Sequence, residues 1–169
     1  MAVLSLLRHA KAAQPLLGQQ DFDRPLTERG RNDAAWAGRI LVSFKPGLAL
    51  VSAARRTRET WDIASQGMAS APDLALDQTL YLCSPAQLLA RLQAVPANVR
   101  SVVAVGHNPC MHELAVWLAR SAEEPEVAAM REKFPTAALA IFDLRDGGWS
   151  RLSPESVALR RFATPKMGD

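Results

Sequence analysis

Three short apolar runs in this chain each stop abruptly at polar residues and then give way to a helical pattern, and this repetition constrains the fold more than any other feature. Val3-Leu4-Ser5-Leu6-Leu7 ends at Arg8-His9. Leu48-Ala49-Leu50-Val51 ends at Ser52-Ala53-Ala54-Arg55-Arg56, and Ser101 to Val105 ends at Gly106-His107-Asn108-Pro109. Runs of this length without polar alternation are what strands covered on both faces require. Helical spacing follows each: Thr27 offers a cap for an apolar stripe through Ala34, Ala35, Ile40 and Leu41 to about Phe44; Thr60, Trp61, Ile63 and Ala64 continue the second unit; Leu114, Ala115, Trp117 and Leu118 continue the third. The expected fold is α/β, a three-layer sandwich whose mainly parallel sheet is covered by helices on both faces.

Smaller signals fill the rest. Lys45-Pro46-Gly47 and Ala71-Pro72-Asp73 break the chain, Leu74 to Leu76 suits a brief strand, and Ser84-Pro85 suits the cap and first turn of a helix through Leu92. Ala137 to Leu144 and Trp149 to Leu152, parted by Asp146-Gly147-Gly148, are expected to close the sheet as a hairpin, with residues 154 to 169 loosely held and without a role. With 169 residues, 49% of them hydrophobic, and no dividing linker, one domain over 1–169 is expected.

Several function classes lose their support. A net charge of +3, with charges of both signs scattered along the chain, provides no nucleic-acid-binding tail. Met1 to Leu7 reaches Arg8 too soon to be a signal peptide or a membrane span, so a cytoplasmic protein without a membrane partner is expected. Cys83 and Cys110 form no Cys-x-x-Cys pair and are expected to be reduced thiols. Neither stands six residues before an Arg, as a cysteine phosphatase needs, since positions 89 and 116 are Leu and Val. The phosphate-loop and dinucleotide glycine patterns do not occur. A metal site of His107, Cys110 and His112 lacks a further ligand pair, and no metal or other cofactor is expected.

The positive signal is where the polar residues fall. In open α/β sheets ligands bind beyond the carboxyl ends of the strands, so Arg8, His9, the arginines after Ser52, and His107 can meet in one pocket although nearly the whole chain separates them. Guanidinium groups donate paired hydrogen bonds to phosphoryl oxygens, and helix starts nearby favour an anion. On spacing alone Arg55, Arg56 and Arg58 remain equal candidates, since any of them could belong to a solvated helix face.

Taken together these segments resemble the histidine phosphatase superfamily, and within it the short SixA-type phosphohistidine phosphatases of phosphoglycerate mutase-like fold. The resemblance rests on Leu7-Arg8-His9-Ala10-Lys11-Ala12, Arg24-Pro25-Leu26-Thr27-Glu28-Arg29-Gly30, Val105-Gly106-His107-Asn108-Pro109, and Ser52-x-x-x-Arg56-x-x-x-Thr60. It implies that Arg56, rather than Arg55 or Arg58, enters the pocket. It also implies that His9 is the nucleophile, and that Arg8, Arg56 and His107 are catalytic residues that bind the phosphoryl group of the substrate. Attack requires a neutral imidazole, which neighbouring Arg8 and Arg56 would favour. The ester-cleaving branches add an acid between the middle Arg and the second His; the corresponding stretch here, Leu76-Asp77-Gln78-Thr79-Leu80-Tyr81, offers Asp77, offset from the expected place, while Asp21 and Asp23, in an earlier loop, could approach the pocket and supply a proton or meet a partner. The implied partner is a phosphohistidine protein, whose imidazole leaving group has less need of a strong acid. The alternatives are a small phosphate ester as substrate and a non-catalytic phosphate-binding module.

Overall fold

The computed structural model describes residues 1–145 and 148–166. Its strands are β1 (Ala2–Arg8), β2 (Leu48–Ser52), β3 (Asp73–Asp77), β4 (Ser101–Gly106), β5 (Leu139–Leu144) and β6 (Val157–Ala163). The helices of at least two turns are α1 (Glu28–Leu41), α2 (Arg55–Ala64), α3 (Pro85–Gln93), α4 (Cys110–Leu118) and α5 (Pro125–Glu132). The strands form one sheet in the order β3-β2-β4-β1-β5-β6. The β3-β2, β2-β4 and β4-β1 pairs are parallel, whereas β5 runs antiparallel to both β1 and β6.

Alternation along the buried strands separates two apolar layers. Leu4 and Leu6 of β1, with Val102 and Ala104 of β4, face Leu92 of α3, Leu114 and Leu118 of α4 and Met130 of α5. Leu7, Val103 and Val105 face the other way, against Ala37 and Leu41 of α1 and Trp61 and Ala64 of α2. Both layers bury side chains of the same strands, which is why the runs are continuously apolar.

Local chemistry sets the helix starts. Thr27 Oγ1 accepts from the Gly30 N–H at 3.0 Å and opens α1. Ser84 and Gln87 form a reciprocal capping box, with Pro85 in the first turn of α3. Where α1 meets α2, Gly38 lets the backbones close in: a Cβ there would lie 2.3 Å from the Ala64 carbonyl oxygen.

The C-terminal segment differs from the expected hairpin. The partner of β5 is β6, with Leu139 opposite Ala163 and Leu144 opposite Val157. Trp149–Arg151 is a 3-10 turn whose Trp149 ring is buried and donates its Nε1–H to the Val99 carbonyl at 2.8 Å. Filling the end of the core and satisfying the indole N–H outweighs strand pairing for this residue. A register shift between Ile141 and Phe142 breaks the two-residue period of β6, which hid that strand in the sequence. Residues 157–163 are therefore an edge strand rather than a loose tail. Asp146 and Gly147, assigned to the hairpin turn, lie outside the described residues. No helix among the described residues is long and apolar enough to cross a membrane.

Candidate active site

The carboxyl ends of β1, β2 and β4 lie side by side because β4 sits between the other two. His9 continues from β1, and its backbone is fixed by His9 N–H donating to the Gly106 carbonyl at 3.0 Å and by Ala137 N–H donating to the His9 carbonyl at 3.0 Å. Arg56 stands in the first turn of α2, just after β2, and His107 directly follows β4. Arg8, His9, Arg56 and His107 all line one cavity of about 280 Å³, which Lys11 and Arg24 also border. The two imidazole rings are 5.3 Å apart between centroids.

The middle motif contributes one contact at each of its three spaced positions. The Ser52 hydroxyl is hydrogen-bonded to His107 Nε2 at 2.8 Å. Arg56 Nε–H donates to His9 Nε2 at 3.3 Å. Thr60 Oγ1 accepts from the Ala10 N–H at 3.0 Å, tying the residue after His9 to α2. Arg55 instead turns outward to an ion pair with Glu59, and Arg58 is exposed.

These contacts define the His9 tautomer. Nδ1 lies 2.7 Å from the Ala10 carbonyl, which can only accept, so the proton resides on Nδ1. Arg56 can only donate, so Nε2 faces the cavity cations with its lone pair. Burial is the largest cause that drives the His9 pKa down to about 3; His107, Arg56 and Arg8 push in the same direction, against the Ala10 hydrogen bond. His107 is lowered to about 4, first by burial and then by Arg56. The arginines alone do not keep His9 neutral; enclosure of the ring does more.

Asp21, one of the two loop acids that the sequence offered as able to approach the pocket, reaches this site through Arg56. Its Oδ2 accepts from Arg56 Nη2 at 3.0 Å and from the Tyr81 hydroxyl at 2.5 Å, and its Oδ1 accepts from Arg24 Nη1 at 2.8 Å. Arg56 Nη1 also donates to the Asp21 carbonyl at 2.8 Å. The Tyr81 hydroxyl, followed by Arg24, holds the Asp21 carboxyl well below the usual carboxylate range. Lys11 and Arg24, which line the cavity, lie in the motif segments but were given no role, and Tyr81, which reaches the site through Asp21, was not marked as a site residue. Asp77 is engaged away from the cavity by the Thr79 backbone N–H at 2.9 Å, the Thr79 hydroxyl at 2.5 Å and Arg91 Nε at 3.1 Å, and its pKa is lowered chiefly by the Thr79 hydroxyl. The Asp23 side chain is not among the cavity-lining groups.

On the far wall, the Phe134 carbonyl accepts from both Arg8 Nη1 at 3.1 Å and Asn108 Nδ2 at 2.8 Å, which fixes Arg8 beside the second histidine segment. His112 is occupied elsewhere, donating to the Met130 carbonyl at 2.7 Å and stacking on Phe134. Cys83 and Cys110 are unbonded thiols, but the fold places their Sγ atoms 3.2 Å apart, a pairing that their spacing did not signal. Among the described residues no three His, Cys, Asp or Glu side chains cluster as a metal site would need.

Comparison with known proteins agrees with this architecture. Residues 4–80 match the family model described as the histidine phosphatase superfamily (branch 1). An uncharacterised protein of Mycobacterium tuberculosis is 33% identical over 162 residues, covering 95% of this chain and 100% of the relative. A solved structure named "putative phosphohistidine phosphatase SixA" from Agrobacterium tumefaciens is 31% identical, with a TM-score of 0.80 over 97% of this chain and 98% of its own. One of the same name from Nakamurella multipartitia is 27% identical, with a TM-score of 0.84 over 97% and 96%. The sheet and its flanking helices have the phosphoglycerate mutase-like fold of these neighbours. With the motifs, their spatial convergence and full-length similarity in agreement, the chain belongs to the histidine phosphatase superfamily and is of the SixA type.

Proposed function

We propose that this protein is a one-domain cytoplasmic phosphohistidine phosphatase that removes phosphoryl groups from protein histidine through a phosphorylated His9, without a metal. His9 Nε2 carries its lone pair toward a cavity whose cations suit a phosphoryl dianion. In the first step a His9 Nε2–P bond forms while the bond from phosphorus to the substrate imidazole breaks, and the departing ring nitrogen takes up a proton from solvent, which the attacking water of the second step gives back. In the second, water attacks phosphorus, the His9 Nε2–P bond breaks, and inorganic phosphate leaves. Arg8 and Arg56 hold the equatorial oxygens. By this reading neutral His107, which lines the same pocket, meets the phosphoryl oxygens as charge accumulates, its Nε2 exchanging the Ser52 hydroxyl for a phosphoryl oxygen.

One observation favours phosphohistidine over a phosphate ester. None of the three acids that the sequence offered is placed to protonate an alkoxide: Asp21 is held ionised by the Tyr81 hydroxyl with Arg24 and Arg56, Asp77 is bound away from the cavity by Thr79 and Arg91, and Asp23 does not line the cavity. An alkoxide is a strong base and leaves poorly without a donor, whereas an imidazole is a much weaker base. The SixA name of the two structural neighbours supports the same substrate class.

The deciding experiment incubates the protein with a protein labelled with radioactive phosphate on histidine and quenches under alkaline conditions. Wild type is expected to carry an acid-labile, alkali-stable label and to release phosphate; His9→Ala is expected to do neither. Phosphate release without labelled enzyme, or labelling of His9→Ala, would overturn the covalent route. Faster turnover of sugar phosphates than of the phosphohistidine protein would overturn the substrate assignment.

A further inference from the structure

A second concavity opens beside the phosphoryl pocket and is larger, about 500 Å³. The two share Arg8, Lys11 and Thr136, so a ligand in one can continue into the other. Arg8, Lys11, Arg29, Lys133 and Lys166 surround this groove, contributed by the end of β1, α1, the end of α5 and the segment after β6. Among the described residues Glu132 is the one acid lining it, against five cations. Among the described residues Lys11, Lys133 and Lys166 make no ion pair, and Arg29 has only Asp33 at 3.6 Å. Between the cations runs an apolar strip of Ala129, Pro135, Phe162 and Pro165.

From this juxtaposition we propose that the groove docks an acidic segment of the protein that carries the phosphohistidine, placing carboxylates on Lys133 and Lys166 while the phosphoryl group enters the adjoining pocket. The proposal rests on the reading of that pocket as the site of phosphoryl transfer. A second phosphoryl group of a small metabolite would call for a compact nest of buried, forked donors. Here the lysines are exposed and spread around an apolar floor, which suits a peptide presenting acidic and apolar side chains in turn. Exposed cations of this kind steer an acidic partner and set its register more than they tighten it. The function of β6 follows as well: the strand that ends at Ala163 delivers Phe162 to the floor and leads to Lys166 at the rim.

The test compares wild type with the double variant Lys133→Glu, Lys166→Glu on four substrates at low salt: a phosphohistidine peptide flanked by Asp and Glu, the same peptide with Asn and Gln, phosphoramidate, and a small bisphosphate. The double charge reversal should lower kcat/KM for the acidic peptide about tenfold or more, through KM, and leave phosphoramidate turnover unchanged. Wild type should prefer the acidic peptide to its amide counterpart, and that preference should fade as salt rises. Equal turnover of the two peptides by wild type, or an equal fall for phosphoramidate in the variant, would overturn the proposal. Sensitivity of a small bisphosphate but not of the acidic peptide to the charge reversal would also overturn it, in favour of a small-molecule subsite. Anisotropy of the fluorescent, unphosphorylated acidic peptide reads the groove apart from the chemistry: binding lost in the variant upholds docking even if no substrate is hydrolysed, and identical binding rejects it.

Discussion

Every nitrogen of the Arg56 guanidinium group makes a contact, through three of its five N–H groups. Nε reaches His9, Nη1 and Nη2 reach Asp21, and the plane lies 5.8 Å from the centre of the Tyr81 ring. A lysine could supply the charge but not the fork, so one ammonium would have to choose between His9 and Asp21. Arg56→Lys is therefore expected to lower kcat/KM by about a hundredfold or more, the scale of losing one preorganised transition-state donor. Steady-state turnover of phosphoramidate checks this, and a variant within a few-fold of wild type would remove Arg56 from the transition state. The family resemblance that selected Arg56 could not disclose its partners. Asp21 and Tyr81 lie 35 and 25 positions away on loops, and only the closing of those loops over α2 brings them to the guanidinium. The residues at or just after the strand ends were thus legible in the sequence, while of those that loops deliver Asp21 was legible only as able to approach the pocket, and Tyr81 not at all.

Among the elements, α2 matters most to the site because it carries both Arg56 and Thr60, and its place is set by α1. The contact runs through Gly38, where an added Cβ would sit 2.3, 2.8 and 2.9 Å from the Ala64 carbonyl oxygen, Cα and carbonyl carbon. These are backbone atoms that cannot swing aside. In an isolated helix Gly→Ala adds about 1 kcal/mol of stability. Here the opposite sign is expected: Gly38→Ala should destabilise by about 1–3 kcal/mol through overpacking, read as a lower urea midpoint. A midpoint at or above that of wild type would mean that α1 can withdraw from α2 without loss. The same sequence showed where α1 begins, because the Thr27 cap is a local signal, but carried its stripe to about Phe44, past the Leu41 end; for α2, which has no side-chain cap, it marked only the helical spacing from Thr60 to Ala64. It did not show that one helix must touch the other through a glycine. Nor did it reveal β6, where a register shift against β5 disrupts the alternation that marks a strand; the buried Trp149 drew the expected pairing to the wrong segment.

At the scale of the whole molecule, the pocket links chemistry to stability, because two imidazoles are buried uncharged beneath a ring of cations. In the unfolded chain both would titrate near 6.5, whereas in the folded protein His9 titrates near about 3 and His107 near about 4. Folded values below the unfolded one mean that the unfolded state binds the extra protons. The stability from these rings is full above 6.5 and is withdrawn as pH falls from there toward the folded values. At about pH 5 the loss should amount to up to about 2 kcal/mol for each ring. Urea unfolding at about pH 7 and about pH 5 measures it, and His9→Gln, which removes one of the two rings, should cut the pH dependence by about half. A wild-type midpoint unchanged across that interval would show that the folded protein accepts protons on these rings as readily as the unfolded chain does. The neutral nucleophile on which the proposed chemistry depends would then be lost.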